Sequence, residues 1–163
     1  MKARLPIVLR VITILAAAAM ALALAPTQDR PAAGTQGIAH PHFAHFADLQ
    51  WEAIPLPGSS CTSEVARLHL DPATQAAQML IRTPDNCHVP RHWHTANESV
   101  VVITGTFIME CDGKEEALGP GSFGYIPGKM IHQAWTKDGE SLLYVAVDAA
   151  WDVNWVNGPP KQP

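Results

Sequence analysis

The chain is poor in charge and poor in the short motifs that carry most enzyme chemistry. Only 16% of its 163 residues are Asp, Glu, Lys or Arg. There is no Cys-x-x-Cys pair, which argues against a structural zinc ribbon or finger. No Gly-x-Ser-x-Gly element is present, so a nucleophile elbow is absent, and Ser59-Ser60 has no such frame. Basic residues form no patch interleaved with aromatics, which excludes a nucleic-acid footprint. No internal repeat exists, and the length suits one domain with a real core. Helical spacing is missing beyond the N-terminal leader.

What charge there is falls unevenly. Lys2, Arg4 and Arg10 account for three of the 11 basic residues; without them 8 bases face 15 acids, a formal −7. That basic stretch precedes an uncharged apolar run from Val11 to Ala25. Fifteen residues are short of the ~20 a membrane span takes but suit the h-region of a secretory signal. Residues 1–25 are therefore expected to be a signal peptide. Ala21 and Ala23 satisfy the small-x-small rule for cleavage after Ala23, and Pro26 disfavours cleavage after Ala25. The alternative is an uncleaved N-terminal anchor. Cleavage would leave a periplasmic or secreted protein with no stable membrane span. In an oxidising compartment cysteines pair. Cys61 and Cys87 both lie at loop-to-strand junctions and are the expected pair, leaving Cys111 free.

Residues 26–46 are rich in Pro, Ala, Gly and His without periodicity and read as a flexible linker. The cluster His40, His42 and His45 within them reads as solvated chain. From Trp51 onward the pattern changes to short β-like runs: 65–70, 76–82, 98–104, 106–111, 122–126, 132–135, 142–147 and 151–156. Asp71-Pro72, Thr104-Gly105, Asp112-Gly113, Gly119-Pro120-Gly121 and Asp138-Gly139 mark the turns. Asp112-Gly113 is a dipeptide that closes two-residue hairpins. Such spacing predicts an all-β barrel or sandwich over residues 47–158, with 159–163 as a tail.

His92-Trp93-His94 is the informative tripeptide. Side chains alternate along a strand, so two histidines two apart share a face and converge on one ion while Trp93 points away. Glu98 has the same parity, but a straight strand would carry it ~13 Å beyond His94. It joins them only if the chain reverses at Thr95-Ala96-Asn97. His132 follows the Pro127-Gly128 turn. Three neutral imidazoles and one carboxylate suit one divalent transition metal, Fe, Mn, Ni, Cu or Zn, better than Mg or Ca.

These residues resemble the cupin superfamily. Its first motif is Gly, five residues, His-x-His, three or four residues, Glu, six residues, Gly. Here it runs from Asn86 through His92, His94 and Glu98 to Gly105. The second motif is Gly, five residues, Pro-x-Gly, two residues, His, three residues, Asn. Here it runs from Gly121 through Pro127 and His132 to Thr136. Asn86, Lys129 and Thr136 depart from the pattern, and none is a ligand. The resemblance spans residues 50–157 and is similar to exported single-domain bacterial cupins. It implies a small jelly-roll β-barrel that binds a metal through His92, His94, Glu98 and His132.

Two functions follow as expectations. One is a metal-dependent enzyme, oxygenase-like or an isomerase or decarboxylase, acting on a small organic molecule, with Glu98 also as catalytic proton acceptor. The other is a noncatalytic metal- or ligand-binding module of the cell envelope. Met79, Ile81, Phe107 and Met109 are expected to wall the cavity. Trp93, Trp135, Trp151 and Trp155 are read as packing residues, and His69 and His88 as structural. Arg91 falls off the ligand face by parity, so no carboxylate clamp is evident. The apolar outer strands permit a homodimer.

Overall fold

The structure, a computed structural model, describes residues 41–54 and 56–157. The expected signal peptide, most of the linker and the C-terminal tail lie outside the described residues. After a 3-10 turn at Phe46–Asp48, nine strands follow among the described residues: β1 Glu52–Ile54, β2 Ser63–Leu70, β3 Ala77–Thr83, β4 His88–Trp93, β5 Glu98–Cys111, β6 Lys114–Leu118, β7 Phe123–Ile126, β8 His132–Val147 and β9 Asn154–Trp155. All pair antiparallel in one curled sheet, β1-β2-β3-β8-β4-β9, with β5 joined to β6, β7 and β8. The all-β jelly-roll expectation holds.

Two sequence-based turns are corrected. Thr104-Gly105 and Asp138-Gly139 do not end strands; β5 and β8 run through them as single strands of 14 and 16 residues. The ladder between the two slips at Val102/Thr104 and Thr104/Thr106. Gly105, Asp138 and Gly139 take φ of 78°, 63° and 108°. Left-handed residues placed opposite one another bend both strands without severing the pairing, which is how bulges turn a sheet corner. Gly105 is obligatory there, since a Cβ would sit 2.6 Å from the Glu140 carbonyl oxygen.

The corner makes the site. β5 and β8 pair from Glu98↔Val147 at one end to Cys111↔His132 at the other. On a straight ladder Glu98 and His132 would lie ~40 Å apart at 3.3 Å per residue. The bend folds the ladder over, so that its two halves face each other across the interior. Val100, Val102, Leu143 and Val145 belong to the core from one half, beside Ile81 of the adjoining β3, and Phe107, Met109 and Ala134 from the other. Alternate burial along the second half of β8 follows from this, one face packed and one outside.

Other expectations resolve individually. Asp112-Gly113 closes the β5–β6 hairpin with φ of 52° and 74°, the twist-compatible two-residue turn. The run 151–156 is a correction: only Asn154–Trp155 forms strand, pairing with Trp93 and His92. β1 and β6 were not among the expected runs, and the strand expected to carry His92 is β4; β6 (KEEAL) has three charged residues in five and is held by backbone pairing to β5. Cys61 and Cys87 form a disulfide, with Cα atoms 5.4 Å apart, and Cys111 is free.

Candidate metal centre

The chain reverses at residues 95–97 as the ligand geometry requires. β4 ends at Trp93, His94 is the next residue, and Glu98 opens β5. The reversal is held from two sides. Asp152 receives hydrogen bonds from the Thr95 amide at 2.7 Å and hydroxyl at 2.6 Å, and the Asn97 amide donates to Asp148 at 2.9 Å. The second motif's turn docks against it: the Gly128 amide donates to Asn97 Oδ1 at 2.8 Å and the Lys129 amide to the His94 carbonyl at 2.7 Å. A Cβ at Gly128 would meet the Thr95 carbonyl oxygen at 2.6 Å, so only glycine allows this approach.

The departures from the family pattern keep its geometry. Asn86 and Lys129, which stand where the motifs have glycine, take φ of 55° and 66°, the left-handed conformation glycine favours. Thr136, in place of the motif's Asn, is buried and accepts the Cys87 amide at 3.0 Å while donating to the Pro84 carbonyl. Each altered position preserves a turn or a tether.

His92, His94 and His132 are all buried, and one ring nitrogen from each lies within 4.8 Å of the others. Every Nδ1 is already engaged: His92 with the Pro90 carbonyl at 2.6 Å, His132 with that of Met130 at 2.9 Å, and His94 with that of Asp152. Backbone acceptors fix the Nδ1–H tautomer and leave each Nε2 as the free lone pair, the arrangement that orients imidazoles toward a metal. Burial, then the neighbouring His132, pushes His92 from the usual 6.5 down to about 3; burial lowers His132 as well. Both are neutral near pH 7, the form that ligates.

Glu98 adjoins this set through His94. Its carboxylate is buried, with Oε2 3.2 Å from His94 Nε2 and accepting the Trp151 indole N–H at 3.3 Å. Because His94 Nδ1 is the donor to Asp152, its Nε2 and the Glu98 oxygen face one another with lone pairs. A cation between them resolves that opposition. The three buried imidazoles form a group that could hold a divalent transition metal.

The cluster opens on a cavity of about 60 Å³. Ile81, Phe107 and Met109 line it as expected; Met79 does not, and instead walls an adjoining open groove with Leu70 and Ala77. Trp151 and Ile54 border both spaces. Among the described residues no Lys or Arg lines the cavity, and Arg91 is exposed. His88 stacks on Trp135 at 4.9 Å and contacts Gln133, a structural role. His42 and His45 are exposed, and His40 lies outside the described residues.

Sequence reasoning missed the segment after β8. Asp148, Trp151 and Asp152 contact residues 51 to 58 positions earlier, and the Trp155 ring lies 5.5 Å from that of His92. No local spacing signals partners so distant; the cluster of Trp and Asp after the last long strand was the only trace.

A curled antiparallel sheet around a buried three-histidine group is the arrangement of a cupin. The family model for the ChrR cupin-like domain matches residues 39–150, and the chain belongs to this cupin family. No curated protein matches the chain. Among solved structures, the polyketide cyclase RemF from Streptomyces resistomycificus is similar with a TM-score of 0.60 and 23% identity, over 72% of this chain and 86% of that one. An acetylacetone dioxygenase from Acinetobacter johnsonii matches with a TM-score of 0.60 and 17% identity, over 76% and 83%. A predicted oxalate decarboxylase from Thermotoga maritima matches with a TM-score of 0.55 and 16% identity, over 65% and 99%. At these identities the likeness is one of fold.

Proposed function

We propose that this protein is a metal-dependent cupin enzyme acting on a small organic molecule outside the cytoplasm, an oxygenase first and an isomerase or decarboxylase next. The observation that carries the reading is the opposition of His94 Nε2 and Glu98 Oε2 beside two further neutral imidazoles. In this reading His92, His94, His132 and Glu98 hold one Fe, Mn, Ni, Cu or Zn ion. When bound, such an ion supplies Lewis acidity toward a carbonyl or carboxylate, or dioxygen chemistry if it is redox-active.

The chain's own groups supply the rest. The backbone carbonyls at Pro90, Met130 and Asp152 hold the imidazoles in one orientation. Apolar side chains, Phe107 and Met109 among them, wall much of the cavity. The hydroxyls of Ser63 and Thr83, hydrogen-bonded to each other at 3.0 Å, line the same cavity and offer a polar anchor. Glu98 is the one carboxylate among the lining residues, and its oxygen is the place where a substrate proton is taken up. The Cys61–Cys87 disulfide supports a periplasmic or secreted location, since such bonds persist in oxidising compartments. Cyclase, dioxygenase and decarboxylase all occur among the names of the fold relatives.

The second reading, a noncatalytic metal- or ligand-binding module of the cell envelope, is favoured by the small cavity and by its lack of a cationic anchor. Elemental analysis of native-loaded protein tests the site: His92→Ala is expected to lose its metal, and full retention sinks the assignment. Oxygen uptake and product formation over phenols, diketones and dicarboxylates then separate the readings. Turnover supports the enzyme, and metal-loaded protein inert to the whole panel supports the module.

A further inference from the structure

We infer that Trp151 is a positioning residue, whose indole N–H sets the orientation of the Glu98 carboxylate. The inference rests on Glu98 being a metal ligand, as proposed above. Three observations carry it. Glu98 Oε2 has two polar neighbours, His94 Nε2 at 3.2 Å and Trp151 Nε1 at 3.3 Å, and Trp151 is the one that must donate. Val100, Val145 and Val153 share the cavity lining with Glu98 and offer its carboxylate no hydrogen-bond donor, so the indole N–H is the donor that fixes its orientation. The half-buried indole N–H finds its acceptor in the same carboxylate oxygen, so each group orients the other.

Trp151 is itself held in place. Asp148, three residues before it, is tied to Asn97, and Asp152, the next residue, to Thr95 and to His94. The indole thus hangs between two anchors on the same reversal that carries His94 and Glu98. Its ring lies 5.8 Å from the His94 ring, tilted by 34°, and closes the cavity toward the outer groove. One side chain orients the carboxylate and flanks the imidazole beside it.

The test is a double-mutant cycle on the full-length apoprotein, reading Zn(II) affinity by competition with a chromophoric chelator. Trp151→Phe keeps an aromatic ring and removes the donor; it is expected to weaken Zn(II) binding ~10- to 100-fold, the usual effect of losing a partner that orients a ligand. In a Glu98→Ala background the same substitution is expected to cause no further loss. Unchanged affinity in Trp151→Phe, or an equal loss in both backgrounds, overturns the inference, because the ring would then act by packing alone. Should Glu98→Ala bind Zn(II) as tightly as the parent, the ligand role of Glu98 fails, a separate outcome from failure of the indole arm alone. If the Phe variant does not fold, Trp151→Gln and Trp151→Leu pose the same question with similar volumes. The Gln form, which retains an N–H donor, is expected to bind more tightly, and equal affinities overturn the inference.

Discussion

The two ends of β4 are secured by different means. At Cys87 the strand is crosslinked to Cys61, 26 residues earlier, and the Cys87 amide and carbonyl are both bonded to Thr136 at 3.0 Å. At His94, six residues beyond the start of β4, no covalent bond exists. There the chain is held by Asp148, Asp152, Gly128 and Lys129 through hydrogen bonds alone. The disulfide at the first end restricts the unfolded chain; the hydrogen bonds at the second aim particular lone pairs. Stability and ligand orientation are thus assigned to opposite ends of one short strand.

Acid should distinguish the ends most strongly. His92 has a folded pKa of about 3 against the usual 6.5, so the unfolded chain binds a proton that the folded one refuses. Its contribution is complete above pH ~6.5 and is lost as the pH falls toward 3, amounting to about 3 kcal/mol at pH 4. Asp148, held below the usual carboxylate range by Asn97, adds to the same trend at lower pH. Denaturation of apoprotein at pH 7 and pH 4 measures the loss, and His92→Leu should flatten it. A parallel pH dependence in that variant would mean the acid-sensitive group lies elsewhere.

Reductant addresses the other end. Replacing Cys61 and Cys87 by Ser is expected to cost about 3 kcal/mol for a loop of this length, while Zn(II) affinity changes by less than about threefold. A large affinity loss would erase the division between the ends. The smallest expected stability effect, about 1–2 kcal/mol, belongs to Asp152→Ala, which removes both Thr95 hydrogen bonds. Its signature is the reverse of the cysteine variant: Zn(II) binding weakens by about tenfold.

Much of the candidate site could be read before any coordinates. The His-x-His alternation, the need for a reversal at 95–97 and the hairpin at Asp112-Gly113 are local rules, decided by residues within a few positions of one another. The Cys61–Cys87 pairing followed from junction positions. What escaped was non-local. Gly105 and Asp138-Gly139 read as turns because a left-handed residue in sequence looks the same whether it ends a strand or bends a paired one. β6 has no apolar alternation to reveal it, since its pairing is carried by backbone. Trp151 and Asp152 act on residues more than fifty positions away, so no local spacing names their partners.

The corner at Gly105 has a mechanical consequence. From that bend to Glu98 runs an arm of seven residues, ~23 Å at 3.3 Å per residue. A rotation of ten degrees at the pivot would sweep the tip by about 4 Å, more than the 3.2 Å between Glu98 Oε2 and His94 Nε2. The pivot has no slack on its inner side, where the Glu140 carbonyl oxygen would stand 2.6 Å from any added Cβ. A side chain at Gly105, seven residues from the nearest candidate ligand, is therefore expected to disturb the placement of Glu98 without touching it.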